Sequence, residues 1–166
     1  AAQRILGARP SAHFLVPAAT AAVEEGLRGM ASASGLPVTV LRGQSHDAMT
    51  AADVVVLASG TATLAAMLLK KPMVITYKVP AITARLARGK LYQPWVGLPN
   101  ILLGRFAVPE LLQENATPQK LASAVLNWLD APERCAALKA AFRALHESLR
   151  CNASERIAEA LAPYLK

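Results

Sequence analysis

Apolar residues along the chain gather in short runs, separated by longer segments in which apolar and polar positions recur at helical spacing. The runs at 12–17, 37–41, 54–58 and 73–77 read as strands, and the intervening segments 20–34, 45–52 and 62–71 read as helices. Thr20 opens the first of these helices, with Glu24 and Glu25 in early turns where a carboxylate complements the helix dipole. Val54 to Ala58 is uninterrupted and rich in β-branched residues, the pattern of a strand buried on both faces. The alternation predicts parallel strands, right-handed crossovers and an α/β fold built on a doubly wound parallel sheet. Ligands in such sheets sit beyond the carboxyl ends of the strands, which singles out the loops 42–45, 59–63 and 77–80.

From 79 to 104 the pattern degrades. Pro80, Gly89, Pro94, Gly97, Pro99 and Gly104 break it into a short basic helix at about 81–90 and a loop carrying Trp95 and Asn100. Helical spacing returns at 118–129, 132–150 and 153–162, the first with Thr117 as N-cap and Pro118 at its first position. Three terminal helices are more than one sheet face needs, so the segment 118–166 is expected to pack in part on protein outside this chain. Residues 1–6 already read as helix interior, in keeping with a piece of a longer protein. No internal repeat or domain boundary is visible, and 166 residues suffice for one domain with a substantial core.

Hydrophobic residues make up 54% of the chain and mean hydropathy is +0.31, yet no apolar run approaches the ~20 residues that span a bilayer. Cys135 and Cys151 stand alone on predicted helices, as reduced cysteines of a cytosolic protein do. The net charge of +7 is unevenly placed. Between Val54 and Pro109 there is no Asp or Glu, while Lys70, Lys71, Lys78, Arg85, Arg88, Lys90 and Arg105 all fall there. That imbalance points to an acidic ligand, an anionic membrane surface, or both.

The segment Ser59-Gly60-Thr61-Ala62-Thr63 joins a predicted strand to a predicted helix. Ser59 suits the N-cap, Gly60 permits close approach to the backbone, and the first N–H groups of the helix are open to an anion such as a phosphate or diphosphate. A capped helix after a strand is also ordinary architecture. The segment lacks the Gly-Lys-Ser/Thr of a Walker loop and the Gly-x-Gly-x-x-Gly of dinucleotide enzymes, which weighs against ATP hydrolysis and nicotinamide chemistry. Gly43 and Ser45, after the second strand, could line a base or phosphate pocket, or Ser45 could simply cap the next helix. His13, His46 and His146 have no partners at metal-ligand spacing, and no metal or other cofactor is expected. Asn100, following a Pro between apolar runs, either serves a cleft or stabilises its own turn. Residues 78–95 mix cations with Ile82, Leu86, Tyr92 and Trp95, the chemistry of a segment on an anionic lipid surface or of a core helix with solvated charges.

Ala58-Ser59-Gly60-Thr61-Ala62-Thr63-Leu64, Lys71-Pro72-Met73-Val74, Tyr77-Lys78, Gly97-Leu98-Pro99-Asn100-Ile101-Leu102-Leu103-Gly104, Pro109-Glu110-Leu111-Leu112-Gln113 and Arg150-Cys151-Asn152-Ala153 follow one another along the chain. Together they resemble bacterial lipid-A-disaccharide synthase over essentially the whole sequence. The resemblance implies a GT-B glycosyltransferase, of which this chain is the C-terminal, Rossmann-like, nucleotide-sugar-binding half. It implies transfer of 2,3-diacylglucosamine from its UDP conjugate to 2,3-diacylglucosamine 1-phosphate, giving the β-1,6-linked disaccharide with inversion at the anomeric carbon. The general base and a Leu-Pro-Gly-Ser-Arg loop are expected outside the chain, so the chain alone is expected to be inactive. The UDP-binding set expected on this reading is Gly43, Ser45, Ser59, Gly60, Thr61, Ala62, Thr63, Ala65, Tyr77 and Lys78, with Asn100 in the active-site loop. Arg85, Arg88, Lys90 and Trp95 are expected at the cytoplasmic face of the inner membrane, and the whole protein is a candidate homodimer. One departure stands out. Ala65 occupies the position where the family usually carries a glutamate, and ribose hydroxyls are commonly held by such a helix carboxylate.

Two other readings compete. A UDP-sugar 2-epimerase shares the fold but needs acid/base carboxylates in the cleft, which the acid-free stretch does not supply. A non-catalytic lipid-surface module would use residues 78–95 without responding to nucleotide. Nucleic-acid binding fits the charge but not the 5% aromatic content.

Overall fold

The computed structural model describes residues 1–80 and 94–164. A short helix, α1 (Ala2–Ala8), precedes β1 (Phe14–Ala18), α2 (Ala21–Ser34), β2 (Val38–Arg42), α3 (Ser45–Ala51), β3 (Val55–Leu57), α4 (Thr61–Leu68) and β4 (Met73–Tyr77). After the segment 81–93 come α5 (Leu98–Leu103), β5 (Glu110–Leu112), a 3₁₀ turn at Gln113–Asn115, α6 (Pro118–Leu129), α7 (Pro132–Leu149) and α8 (Ala153–Leu161). The predicted helix at 81–90, with Arg85, Arg88 and Lys90, lies outside the described residues.

The strands are parallel and flanked by helices, as the alternating pattern predicts. They fall into two sheets: β1 pairs with β2, and β3, β4 and β5 pair in that order. A single continuous sheet was the expectation, but no ladder joins the two among the described residues. β4 lies in the middle of its sheet, and Met73, Val74 and Ile75 are fully buried. β3 differs from its expected burial on both faces: it is an edge of the sheet, and Val56 remains 48% exposed. The central burial that the apolar run suggested for β3 therefore belongs to β4.

The core gathers around β4 from three helices. Ala66 and Met67 of α4, Trp128 of α6 and Leu138 and Phe142 of α7 close on Met73, Val74 and Ile75. The Trp128 indole N–H donates to the Met73 carbonyl at 3.0 Å, so the bulkiest core side chain also satisfies its one polar atom. Helix starts follow the expected chemistry where a threonine precedes them. Thr20 accepts from Val23 N–H and Thr117 from Lys120 N–H. α4 ends at Leu68 rather than running to residue 71, because Lys70 takes a positive φ of 57°. Lys70 Nζ donates to Leu68 O and meets Nδ1 of His146 at 2.7 Å, and Lys71 Nζ donates to Thr50 O and Ala52 O at the end of α3. Two cations of the acid-free stretch thus serve helix carboxyl ends inside the fold.

Candidate functional site

The candidate site forms at the carboxyl ends of β3 and β4. In their register Leu57 pairs with Ile75. Two residues further along β4, Tyr77 pairs with Leu112 of β5, and the chain leaves β3 for Ser59 at this same end. The turn 59–63, the exposed Tyr77 and Lys78, and Gln113 therefore share one end of the sheet. Gln113 Oε1 accepts from Val79 N–H at 3.3 Å and holds the β4 exit against β5.

Within the turn, Gly60 is the N-cap of α4 with φ 146° and ψ −163°, a conformation open essentially only to glycine. A Cβ there would meet nothing within 4 Å, so the requirement is one of backbone conformation and not of space. Ser59 does not cap the helix as expected. Its hydroxyl donates instead to Val96 O at 2.8 Å, tying the turn to the segment before α5. Thr63 is fully buried, and its hydroxyl and N–H both donate to Gly60 O, at 2.6 and 3.0 Å. It braces the turn from inside rather than facing it. Thr61 and Ala62 are exposed, and as first-turn residues their N–H groups have no intrahelical carbonyl to meet. Ala65 follows one turn on, half-buried.

Gly43 and Ser45 sit at the carboxyl end of β2, in the other sheet. Gly43 is left-handed at φ 67° and donates to Ala18 O, and Ser45 is the first residue of α3 with no side-chain cap bond at that helix. Both are exposed, and among the described residues no hydrogen bond joins them to the 59–63 turn.

Asn100 lies in α5, not in a loop, and is completely buried. Its Nδ2 donates to Val108 O at 2.9 Å and to Glu110 Oε1 at 2.8 Å, while Oδ1 accepts from Ala107 and Val108 N–H at 2.8 and 2.9 Å. Every hydrogen-bonding position of that amide is filled from within the chain. Asn100 holds the segment after α5 in place, and its position within a helix, with the amide turned inward, differs from the loop expected for it.

Glu110, absent from the sequence-derived set, is the centre of this arrangement. Oε2 accepts from Val96 N–H and Oε1 from Gly97 N–H, both at 2.9 Å, in addition to the Asn100 bond. Gly97 makes this possible, since a Cβ there would stand 2.2 Å from Ile75 Cδ1. A chain of contacts therefore runs from Ser59 through Val96 to Glu110 and Asn100. The one sequence signal for Glu110 was its position as the first acid after the acid-free stretch. Trp95, next to Val96, meets Phe106 edge-on with ring centroids 5.9 Å apart.

The described residues form a parallel α/β unit with a glycine-dependent helix start at the carboxyl end of its sheet, the Rossmann-like class of fold. The profile of the lipid-A-disaccharide synthetase family matches residues 1–161. The chain is 55% identical over 166 residues to lipid-A-disaccharide synthase of Thiobacillus denitrificans, covering all of this chain and 45% of that protein. It is 52% identical over 159 residues to the enzyme of the same name from Azoarcus sp., covering 94% of this chain and 41% of the other. The chain belongs to the lipid-A-disaccharide synthetase family, and it spans less than half the length of these relatives. No described helix is long and apolar enough to cross a membrane.

Proposed function

We propose that this chain is the nucleotide-sugar half of a glycosyltransferase of lipid A biosynthesis, and that the turn 59–63 receives the diphosphate of UDP-2,3-diacylglucosamine. The observation that carries the proposal is the start of α4. Gly60 in its restricted conformation, braced by Thr63, opens a helix whose first two residues, Thr61 and Ala62, are exposed at the carboxyl end of the sheet, where Tyr77 and Lys78 are exposed as well. The leaving group of the transfer is UDP, so donors fixed on its phosphates stabilise charge as it develops. The acceptor, 2,3-diacylglucosamine 1-phosphate, and the general base that deprotonates its hydroxyl are assigned to the other half of the protein, with inversion at the anomeric carbon. The chain by itself is inactive on this reading.

Asn100 and Glu110 are positioning residues here, holding the segment that anchors Ser59. The apolar side of α8, with Ile157 and Leu161 59% and 50% exposed, packs on the remainder of the protein, in a peripheral enzyme of the cytoplasmic membrane face that pairs as a homodimer. The exposed Lys78 and Arg105 continue the anionic preference of the stretch.

The test is ligand-linked stability. UDP at millimolar concentration and low salt raises the melting temperature of the protein, UMP raises it less, and uridine leaves it unchanged. Absence of any shift with UDP would count decisively against the assignment. The epimerase reading requires a cleft carboxylate, and Glu110, linked to the turn through Val96, has both oxygens occupied by internal donors.

A further inference from the structure

Gln113 follows β5 in a backbone conformation that glutamine rarely takes. Its φ is 49°, in the left-handed region that glycine enters freely and other residues enter at a cost. The turn alone does not call for glutamine. Glycine would carry the chain into the 3₁₀ turn, closed by Ala116 N–H on Gln113 O at 3.0 Å, without that cost. What glutamine adds is its amide. Oε1 is committed, since only an oxygen can accept the Val79 N–H. The amide is thereby oriented, and Nε2, with two N–H donors, meets no acceptor among the described residues. The residue is half-buried and one of its amide atoms is anchored, so the donor pair is held in place instead of sweeping through solvent.

Tyr77 pairs with Leu112, so the residues that follow them, Lys78 and Gln113, leave neighbouring strands at the same end of the sheet. The turn 59–63 sits at that end too. The order β3-β4-β5 sets the exits of β3 and β5 two strand spacings apart, about 10 Å, a distance that a diphosphate and the hexose it carries can bridge. The two exits offer different chemistry. The turn supplies helix-start amides, and the exposed Lys78 beside it a full positive charge, both suited to phosphate. The Gln113 amide is neutral, a weaker partner for phosphate than a cation is, and well matched to a hydroxyl or an amide carbonyl.

We propose that Gln113 is a specificity-determining residue of the nucleotide-sugar site, its Nε2 donating to a neutral oxygen of the hexose while Oε1 stays on Val79 N–H. The proposal rests on the reading of the turn 59–63 as the diphosphate site and extends it from the nucleotide to the sugar. A hexose oxygen that lost this donor would be left desolvated and unpaired, which is what makes one neutral hydrogen bond selective.

The experiment is titration calorimetry of the protein with UDP and with UDP-N-acetylglucosamine, whose hexose carries an amide. The quantity read for each variant is the ratio of the two affinities, in which effects on the diphosphate cancel. Gln113→Met removes both halves of the amide. Gln113→Glu keeps an oxygen for Val79 N–H and removes the donor. Both should lower the affinity for UDP-N-acetylglucosamine relative to UDP about tenfold, the loss of one hydrogen bond with its partner left unpaired. Melting curves with UDP check that each variant is folded and still takes the nucleotide. A residue that only braces the Val79 amide predicts otherwise. Gln113→Glu would then keep the wild-type ratio that Gln113→Met loses, and that result would overturn the proposal. So would a ratio unchanged in both variants, and in either case the UDP reading would stand. A wild type that binds neither compound would remove both readings together.

Discussion

Replacing Asn100 by Asp keeps the shape of the side chain and inverts half of its hydrogen bonding. Oδ1 can still accept from Ala107 and Val108 N–H, but the second oxygen now faces Val108 O and Glu110 Oε1, where the amide nitrogen stands 2.9 and 2.8 Å away. Two ionised carboxylates cannot share that distance in a buried setting, so one of them takes a proton. The cost of protonating a carboxyl of ordinary pKa is about 4 kcal/mol at pH 7 and about 1.5 kcal/mol at pH 5, at about 1.4 kcal/mol per pH unit. A further ~1 kcal/mol persists at any pH, because one O–H can satisfy only one of the two acceptors that the amide served. The sign follows from linkage. The pair's proton is held more tightly in the folded state than in the unfolded one, so the variant is most stable in acid and loses stability as pH rises from about 4 towards 7. Denaturant unfolding of Asn100→Asp and wild type at pH 5 and 7 reads this directly as a difference between the two proteins. A penalty that is flat between the two pH values, or larger at pH 5, would refute the pairing of Asn100 with Glu110.

Gly60→Ala should cost about 1–3 kcal/mol of stability, all of it from the backbone conformation, and should weaken UDP binding more than uridine binding; calorimetry on both ligands separates the effects. Ala65→Glu places a carboxylate in α4 and, on the proposed reading, should tighten UDP on the order of tenfold, with no gain for a dideoxyribose analogue, as expected of a charged hydrogen bond to ribose. Trp128→Phe removes the bond to Met73 O and leaves a gap beside β4, lowering stability by about 2–4 kcal/mol with the UDP shift retained. Lys71→Met strips two carbonyls at the end of α3 of their cation and should cost about 1 kcal/mol, detectable by thermal melting and insensitive to UDP.

Local chemistry carried what was legible in the sequence. The parallel alternation of strands and helices, the threonine caps at Thr20 and Thr117 and the start of a helix after Ser59 all depend on neighbours within a few residues, and they appear where the pattern places them. What failed depends on partners far along the chain. Ser59 has the composition of a cap, but the cap position falls to Gly60, and the Ser59 hydroxyl donates to Val96 O, 37 residues on. Asn100 looks like a loop residue at a cleft until Glu110 and the 107–108 amides enclose it. The apolar run at 54–58 signals burial without saying on how many sides, and that is settled by sheet order, which leaves β3 at an edge and β4 in the middle. Charge was misleading for a related reason. Lys70 and Lys71 read as part of an anion-seeking surface, whereas Lys70 turns back to Leu68 O at the end of its own helix and meets His146, and Lys71 serves carbonyls at the end of α3.

The Glu110–Asn100 arrangement leaves a signature in hydrogen exchange. Val96, Gly97, Ala107 and Val108 belong to no strand or helix, yet each amide proton is held by a side-chain oxygen. Their protection therefore measures the integrity of two side chains rather than of a ladder, and the four should open as one cooperative unit. Slow exchange in a stretch that looks irregular would mark the part of this domain where side chains have taken over the work of secondary structure.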